Sequence, residues 1–187
     1  MAIESEKDAF LSLIMTHKGI LLKVANSYCR DPHDREDLVQ EMLLQLWKSY
    51  ARYDPNYRFT TWMYRVALNT AISHYREGRR RAEVLARPVR PAEQADSGSD
   101  ARGAEIVEMP EILSELPGAE EQSGLLHRCI RELKELDRAL ILLYFEERSY
   151  REIAEILGIT ETNAATKVGR IKERLKQRLQ ERTEKQR

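Results

Sequence analysis

Between Arg52 and Arg65 the chain interleaves aromatic rings with guanidiniums: Tyr53, Tyr57, Phe59, Trp62 and Tyr64 sit among Arg52, Arg58 and Arg65. Exposed rings of this kind stack on unpaired bases, at about 1–3 kcal/mol per base by alanine substitution, while arginines follow the phosphates. Removing a base from a duplex stack costs a few kcal/mol, so one good pocket offsets roughly one flipped nucleotide. Trp62 is read first as core and second as a DNA platform. Asn69, a poor helix former in mid-helix, fits a pocket lining or a buried hydrogen bond equally well. Arg76, Arg79, Arg80 and Arg81 follow. They suit the negative end of a helix dipole, yet four arginines in six residues exceed that need, and phosphate contact is expected.

A second surface with chemistry of its own lies near the carboxy terminus. Ser149, with Glu152 three residues later, has the form of a capping box opening a short helix. Ile153, Ala154 and Leu157 face inward, Gly158 supplies a left-handed stop, and Thr160 caps the next helix with Asn163 at its third position. Short helix, tight turn and longer helix make a helix-turn-helix. In the longer helix, Ala164, Val168, Ile171, Leu175 and Leu179 form the buried stripe. Thr162, Thr166, Gly169, Arg170 and Glu173 lie opposite, flanked by Lys167, Lys172, Arg174 and Arg178. From Thr160 to Arg187 there are nine basic residues against four acidic. Such a helix enters a major groove with its first residues on base edges and its flanking cations on phosphates. The bland alternative is a helical hairpin with a solvated charged face.

Other chemistries find little support. No Gly-rich phosphate loop, Ser/His/Asp or Cys/His arrangement, or cluster of metal ligands stands out, so neither catalysis nor a cofactor or metal is expected. Cys29 and Cys129 are far apart in apolar helical surroundings and are expected to be buried free thiols in a reducing cytosol. No apolar run approaches the ~20 residues of a membrane span. The polar, acidic start of the chain is unlike a signal peptide. A soluble cytoplasmic protein is expected. The net charge is zero, with 31 basic and 31 acidic residues, but it is sorted along the chain. Residues 1–82 carry 13 Lys/Arg against 10 Asp/Glu, 83–117 carry 3 against 8, and 118–187 carry 15 against 13. Two mildly basic ends flank an acidic middle, and local patches matter for nucleic acid more than the total.

The elements that position these surfaces read as all-α. Phe10, Leu13, Ile14, Leu21, Val24 and Tyr28 recur at helical spacing, and Asp31-Pro32 breaks the helix. Leu38, Val39, Met42, Leu43, Leu46, Trp47 and Tyr50 mark a second helix, which ends in the loop Tyr53 to Asn56. Thr60 or Thr61 opens a third, running to about Arg79. Three helices around one core predict a first domain over 1–82. Residues 83–117, punctuated by Pro88, Pro91, Gly98, Gly103 and Pro110, are too polar to offset their ordering entropy and are expected to be a flexible linker. Helical periodicity returns in a second domain, 118–187. Leu125, Leu126, Cys129, Ile130 and Leu133 mark one helix, and Leu136 to Phe145 a denser one.

The string Asp34 to Trp47 resembles the sigma-factor segment that docks on the clamp helices of RNA polymerase. Removing its apolar stripe leaves Asp37, Gln40, Glu41, Gln45 and Lys48 on the solvent side, a polar face suited to a partner; an ordinary solvated face is the alternative. Arg58 to Ile72 is similar to the family segment that opens the minus-ten promoter element. With the carboxy-terminal motif, the resemblance spans nearly the whole chain apart from the linker. It identifies the chain as a small, two-domain extracytoplasmic-function sigma factor. The resemblance implies that the first domain reads and melts minus-ten through Arg52, Tyr57, Arg58, Phe59, Trp62, Arg65, Asn69, Arg76, Arg79 and Arg80. It implies that the second reads minus-thirty-five through Thr162, Asn163, Thr166, Lys167, Gly169, Arg170 and Arg174, and touches the polymerase flap. It also implies a linker threading towards the RNA exit path, where its net −5 suits a channel meant for a polyanion, and an anti-sigma factor as a further partner. Ala165, Thr166 and Gly169 stand where relatives often carry long side chains. They cannot make the bidentate guanine contact, so shape or thymine-methyl contact would carry more of the upstream specificity.

Two rivals remain at this point. A two-domain helix-turn-helix regulator would bind its operator without polymerase. An antagonist that mimics a sigma factor would have little use for the cationic last helix.

Overall fold

The computed structural model of the chain describes residues 2–85 and 125–184, and every element among them is a helix. Most of the acidic stretch expected to be a linker, from 86 onwards, lies outside the described residues.

Helix α1 (Ala2–Tyr28) buries Phe10, Ile14, Leu21, Val24 and Tyr28 along one stripe. Its successor, α2 (Pro32–Tyr50), begins where Pro32 occupies the first turn and the Asp31 carboxylate accepts from the His33 N–H at 2.8 Å. Proline there removes only an N–H that would have had no helical partner, and the aspartate satisfies another. A loop then turns on Asp54, whose Oδ1 accepts from the Asn56 N–H at 2.9 Å, an Asx turn that holds the corner. Helix α3 (Phe59–Leu85) packs Met63, Tyr64, Ala67, Leu68 and Ala71 against Leu38, Val39, Met42 and Leu46 of α2 and the α1 stripe. It runs beyond the Arg79 end read from the sequence. Neither Gly nor Pro follows Gly78 before Pro88, and Arg79 pairs with Glu83 one turn on at 3.0 Å, so nothing stops the helix.

The second group holds α4 (Leu125–Arg131), α5 (Glu135–Phe145), α6 (Tyr150–Leu157) and α7 (Glu161–Glu184). Its core comprises Cys129, Leu133, Leu140, Ile141, Leu143, Ile153, Ile156, Ala164, Val168, Ile171 and Leu175. Leu157, expected inside, is half-buried, and Ile156 takes the inner position.

The two groups pack directly on one another, α1 and α3 against α4, α5 and α6. Arg138 of α5 anchors the seam and is 1% exposed. It donates to the carbonyls of Ser27 at 3.1 Å, Leu133 at 3.2 Å, and Arg131. Its guanidinium lies 5.0 Å from the Tyr28 ring and 4.8 Å from that of Tyr75. A cation stripped of water is tolerable there because carbonyl dipoles and two ring faces replace its hydration. Tyr28 Oη donates to the Glu135 carbonyl at 2.7 Å, and Lys23 meets Glu146 at 2.7 Å.

Candidate nucleic-acid interface

The helix-turn-helix is built by local chemistry. Ser149 Oγ accepts from the Glu152 N–H at 3.2 Å, while the Glu152 carboxylate accepts from the Ser149 N–H at 3.0 Å, so two N–H groups at the start of α6 are satisfied reciprocally. These bonds, from the Ser149 backbone and then its hydroxyl, hold the Glu152 carboxyl below the usual glutamate range. Gly158 ends α6 at φ +66°, the left-handed region that glycine enters without a Cβ penalty. Thr160 Oγ1 accepts from the Asn163 N–H at 3.2 Å and opens α7.

With Ala164, Val168, Ile171 and Leu175 buried, α7 turns Thr162, Asn163, Thr166, Gly169, Arg170 and Arg174 to solvent, with Lys167 half-buried at the margin. Open space surrounds Gly169. The flanking cations are steered from below: Arg174 meets Asp137 at 3.3 Å, Arg178 meets Glu132 at 3.5 Å, and Lys172 donates to Tyr144 Oη at 2.9 Å. Thr162, Thr166 and Arg170 thus form an exposed polar strip flanked by cations.

In the first group the ring-rich segment splits into two kinds of residue. Tyr57 is 58% exposed, and its backbone carbonyl accepts from Tyr53 Oη at 2.7 Å, leaving its ring unencumbered by that bond. Phe59 and Trp62 are half-buried in a cluster with Tyr50 and Tyr53, their own centroids 5.4 Å apart. Trp62 is thereby part of the core margin. Tyr64, which the sequence places among exposed rings, is fully buried and donates to Glu146 at 3.1 Å. Burial and the neighbouring Glu146 raise its phenol above the ordinary tyrosine value. Asn69 is exposed, which excludes the buried hydrogen bond.

Arg52, Arg58, Arg65, Arg76, Arg79 and Arg80 are all exposed. Three of them reach the second group. Arg58 meets Glu152 at 3.4 Å, Arg65 donates to the Glu155 carbonyl, and Arg76 meets Glu135 at 3.0 Å. Glu135's own backbone N–H, then Arg76, hold its carboxyl below the usual range. Nothing in the sequence pattern signals these contacts, because the partners sit far along the chain. Arg138, Glu135 and Glu146 carry no sequence signal for the same reason.

Asp37, Gln40, Gln45 and Lys48 are exposed on one face of α2, with Glu41 partly occupied by His74 at 3.3 Å. Cys29 and Cys129 are free and buried. Burial pushes the Cys29 thiol up to about 11, so it stays protonated at neutral pH. Among the described residues, no three His, Cys, Asp or Glu side chains form a metal-binding group, and no helix is long and apolar enough to cross a membrane.

The Sigma-70 region 2 family matches residues 13–81, and the Sigma-70 region 4 family matches residues 123–175. The chain is 28% identical to the RNA polymerase sigma-H factor of Pseudomonas aeruginosa over 182 residues, covering 94% of this chain and 88% of that protein. It is 26% identical to the ECF RNA polymerase sigma factor SigW of Bacillus subtilis over 179 residues, covering 95% and 92%. The fold is similar to that of the sigma factor RpoE from Bartonella quintana, solved in complex with the anti-sigma factor NepR. The TM-score is 0.64 at 18% identity, over 92% of this chain and 97% of that one.

Proposed function

We propose, for a chain that belongs to the sigma-70 family as an RNA polymerase sigma factor of the extracytoplasmic-function kind, that its two helical groups divide promoter recognition between them. Such a factor catalyses no reaction; it binds core RNA polymerase and directs it to promoters. The domains proposed are 1–82 for core binding and minus-ten melting, 83–117 as connection, and 118–187 for minus-thirty-five. Asp37, Gln40, Glu41, Gln45 and Lys48 form the contact with the polymerase clamp helices. Tyr57 and the exposed arginines of α3 engage melted and flanking DNA. Thr162, Asn163, Thr166 and Arg170 meet the duplex groove, with Lys167 and Arg174 on phosphates, and the second domain also touches the flap. The protein works in the cytoplasm, and an anti-sigma factor restrains it. One observation supports the division above the others. The exposed Tyr57 ring beside arginines suits single strands, whereas the polar strip of α7 suits duplex.

The test is transcription in vitro with purified core polymerase on fragmented genomic DNA, with RNA 5′ ends sequenced. New start sites sharing spaced minus-ten and minus-thirty-five elements are expected only when the protein is added. Tight, specific operator binding by the free protein, without new start sites, would instead establish a polymerase-independent regulator.

A further inference from the structure

Where the two groups meet, a cleft of about 520 Å³ opens between the end of α1, the start of α2, the middle of α3 and helices α4 and α5. Arg30, Arg79, Arg81, Arg131 and Arg138 line it, against one carboxylate, Asp34. Arg79 already has Glu83 as a partner and Arg138 has its three carbonyls. For Arg30, Arg81 and Arg131, no ion pair is formed with any described residue. Arg138 keeps its Nε buried without an acceptor among those residues. The charge is also poorly compensated. Burial and then the cations Arg30, Arg138, Arg35 and Arg128 hold the Arg131 guanidinium below its ordinary value.

Like charges gathered in one cleft repel, and a guanidinium partly withdrawn from water, as that of Arg131 is, costs free energy until an anion meets it. Arginine's planar fork matches phosphate oxygens two at a time. A volume of 520 Å³ lies in the range of small-molecule sites. A single carboxylate or sulfate would satisfy only a fraction of the three cations left without an ion pair, Arg30, Arg81 and Arg131, whereas a chain of phosphates meets several at once.

We propose that this cleft binds a small polyphosphate anion, free or as the tail of a nucleotide, which bridges the two halves of the protein. Arg30 comes from the first half and Arg131 from the second, so ligand and domain packing stabilise each other by linkage. The inference goes beyond the promoter reading and does not rest on it.

Thermal shift and calorimetric titration of the full chain, at fixed ionic strength, test it with sodium tripolyphosphate, GTP, guanosine and sulfate as probes. Tripolyphosphate should stabilise the protein saturably, and sulfate and guanosine should not. GTP matching tripolyphosphate identifies phosphate alone as the determinant, and GTP binding more tightly adds a nucleoside contact. Arg30→Gln and Arg131→Gln should each weaken binding by roughly tenfold, as loss of a charged hydrogen bond implies. Arg151→Gln, an exposed arginine on α6, should leave it unchanged. Without ligand, Arg131→Gln should melt no lower than wild type, since it removes a repelled charge, and this separates lost binding from lost folding. Non-saturating titrations, wild-type affinity in both variants, or weakening by only one of them would overturn the bridging site. So would binding by a single-stranded DNA oligonucleotide through Arg30 and Arg131 with none by tripolyphosphate, which would make the cleft a nucleic-acid surface.

Discussion

Arg76 of α3 donates through Nε to the Glu135 carboxylate of α5 at 3.0 Å, so a cation proposed for minus-ten DNA is held by the helical group proposed for minus-thirty-five. Arg58 and Arg65 are engaged across the same seam. On the proposed reading, phosphates and the second group compete for the same three guanidiniums. The two ion pairs, Arg58 with Glu152 and Arg76 with Glu135, are each worth only about 0.2–1 kcal/mol.

Glu135→Gln should loosen this competition. Losing the pair with Arg76 is expected to raise the free protein's affinity for a minus-ten single strand by about 1.4- to fivefold, on the pair's 0.2–1 kcal/mol. Glu77→Gln supplies the control, since it adds the same net charge at an exposed site on α3. Fluorescence anisotropy with a labelled strand compares the two. Equal gains in both variants would mean that net charge alone is responsible.

What was legible in the sequence was local. Ser149 with Glu152, Gly158 and Thr160 act within a few positions of themselves, so spacing alone located the helix-turn-helix, down to the Asn163 N–H that Thr160 caps. The stripe Ala164, Val168, Ile171 and Leu175 was likewise fixed by periodicity, and so was the exposure of the residues opposite. Docking of one group on the other was not legible. Arg138 reads as an ordinary charged residue in α5, and its surroundings come from Tyr28, Ser27 and Tyr75, distant in the chain. By sequence, Tyr64 belongs to a single run of aromatics that reads as exposed. Its burial follows from sharing the inner face of α3 with Met63, Ala67 and Leu68.

The capping box of α6 predicts a pH dependence. Glu152 titrates lower in the folded protein than its ordinary value of 4.5. A depressed carboxyl contributes stability that is fully present above that ordinary value and is lost as pH falls through the folded value. Ser149→Ala should cost about 0.5–2 kcal/mol at neutral pH, as loss of an N-cap does. Glu152→Gln should be less stable than wild type at pH 7, and the gap should narrow below about pH 4.5 as the wild-type carboxyl protonates. Urea midpoints measured from pH 7 to pH 3 check this, and a gap that stays constant with pH would remove the carboxylate from the account.

On α2, Asp37 offers a cleaner probe of polymerase contact than Glu41, because Glu41 also meets His74. Asp37→Lys is expected to weaken core binding by about one and a half to three and a half orders of magnitude if the residue sits in the desolvated part of that interface, where loss of a charged partner costs about 2–5 kcal/mol, and less at its rim. Helix content and melting temperature should stay at wild-type values, since the side chain is exposed. Co-purification with core polymerase reads the outcome, and wild-type yield would remove Asp37 from the contact.

The last prediction separates melting from recruitment, and the structure decides which aromatic to mutate. Phe59 lies 5.5 Å from the Tyr53 ring and 5.7 Å from that of His17, so Phe59→Ala disturbs packing as well as any stacking on DNA. Tyr57 is more than half exposed, and its contact with Tyr53 is made through its backbone carbonyl, which alanine retains. Tyr57→Ala should therefore leave the melting temperature alone. Losing about 1–3 kcal/mol of stacking should lower the open-complex equilibrium roughly five- to a hundredfold while the closed complex still forms. Phe59→Ala should show the same opening defect together with lower stability. Replacing Lys167 and Arg170 with alanine should instead weaken recruitment and flatten its salt dependence, because fewer counterions leave the DNA when fewer phosphates are contacted. A promoter with a pre-melted bubble should rescue Tyr57→Ala in part and the Lys167/Arg170 variant not at all. Permanganate footprinting of each holoenzyme on duplex promoter distinguishes the two. If Tyr57→Ala opens DNA normally and the double variant recruits normally, both surfaces are misassigned.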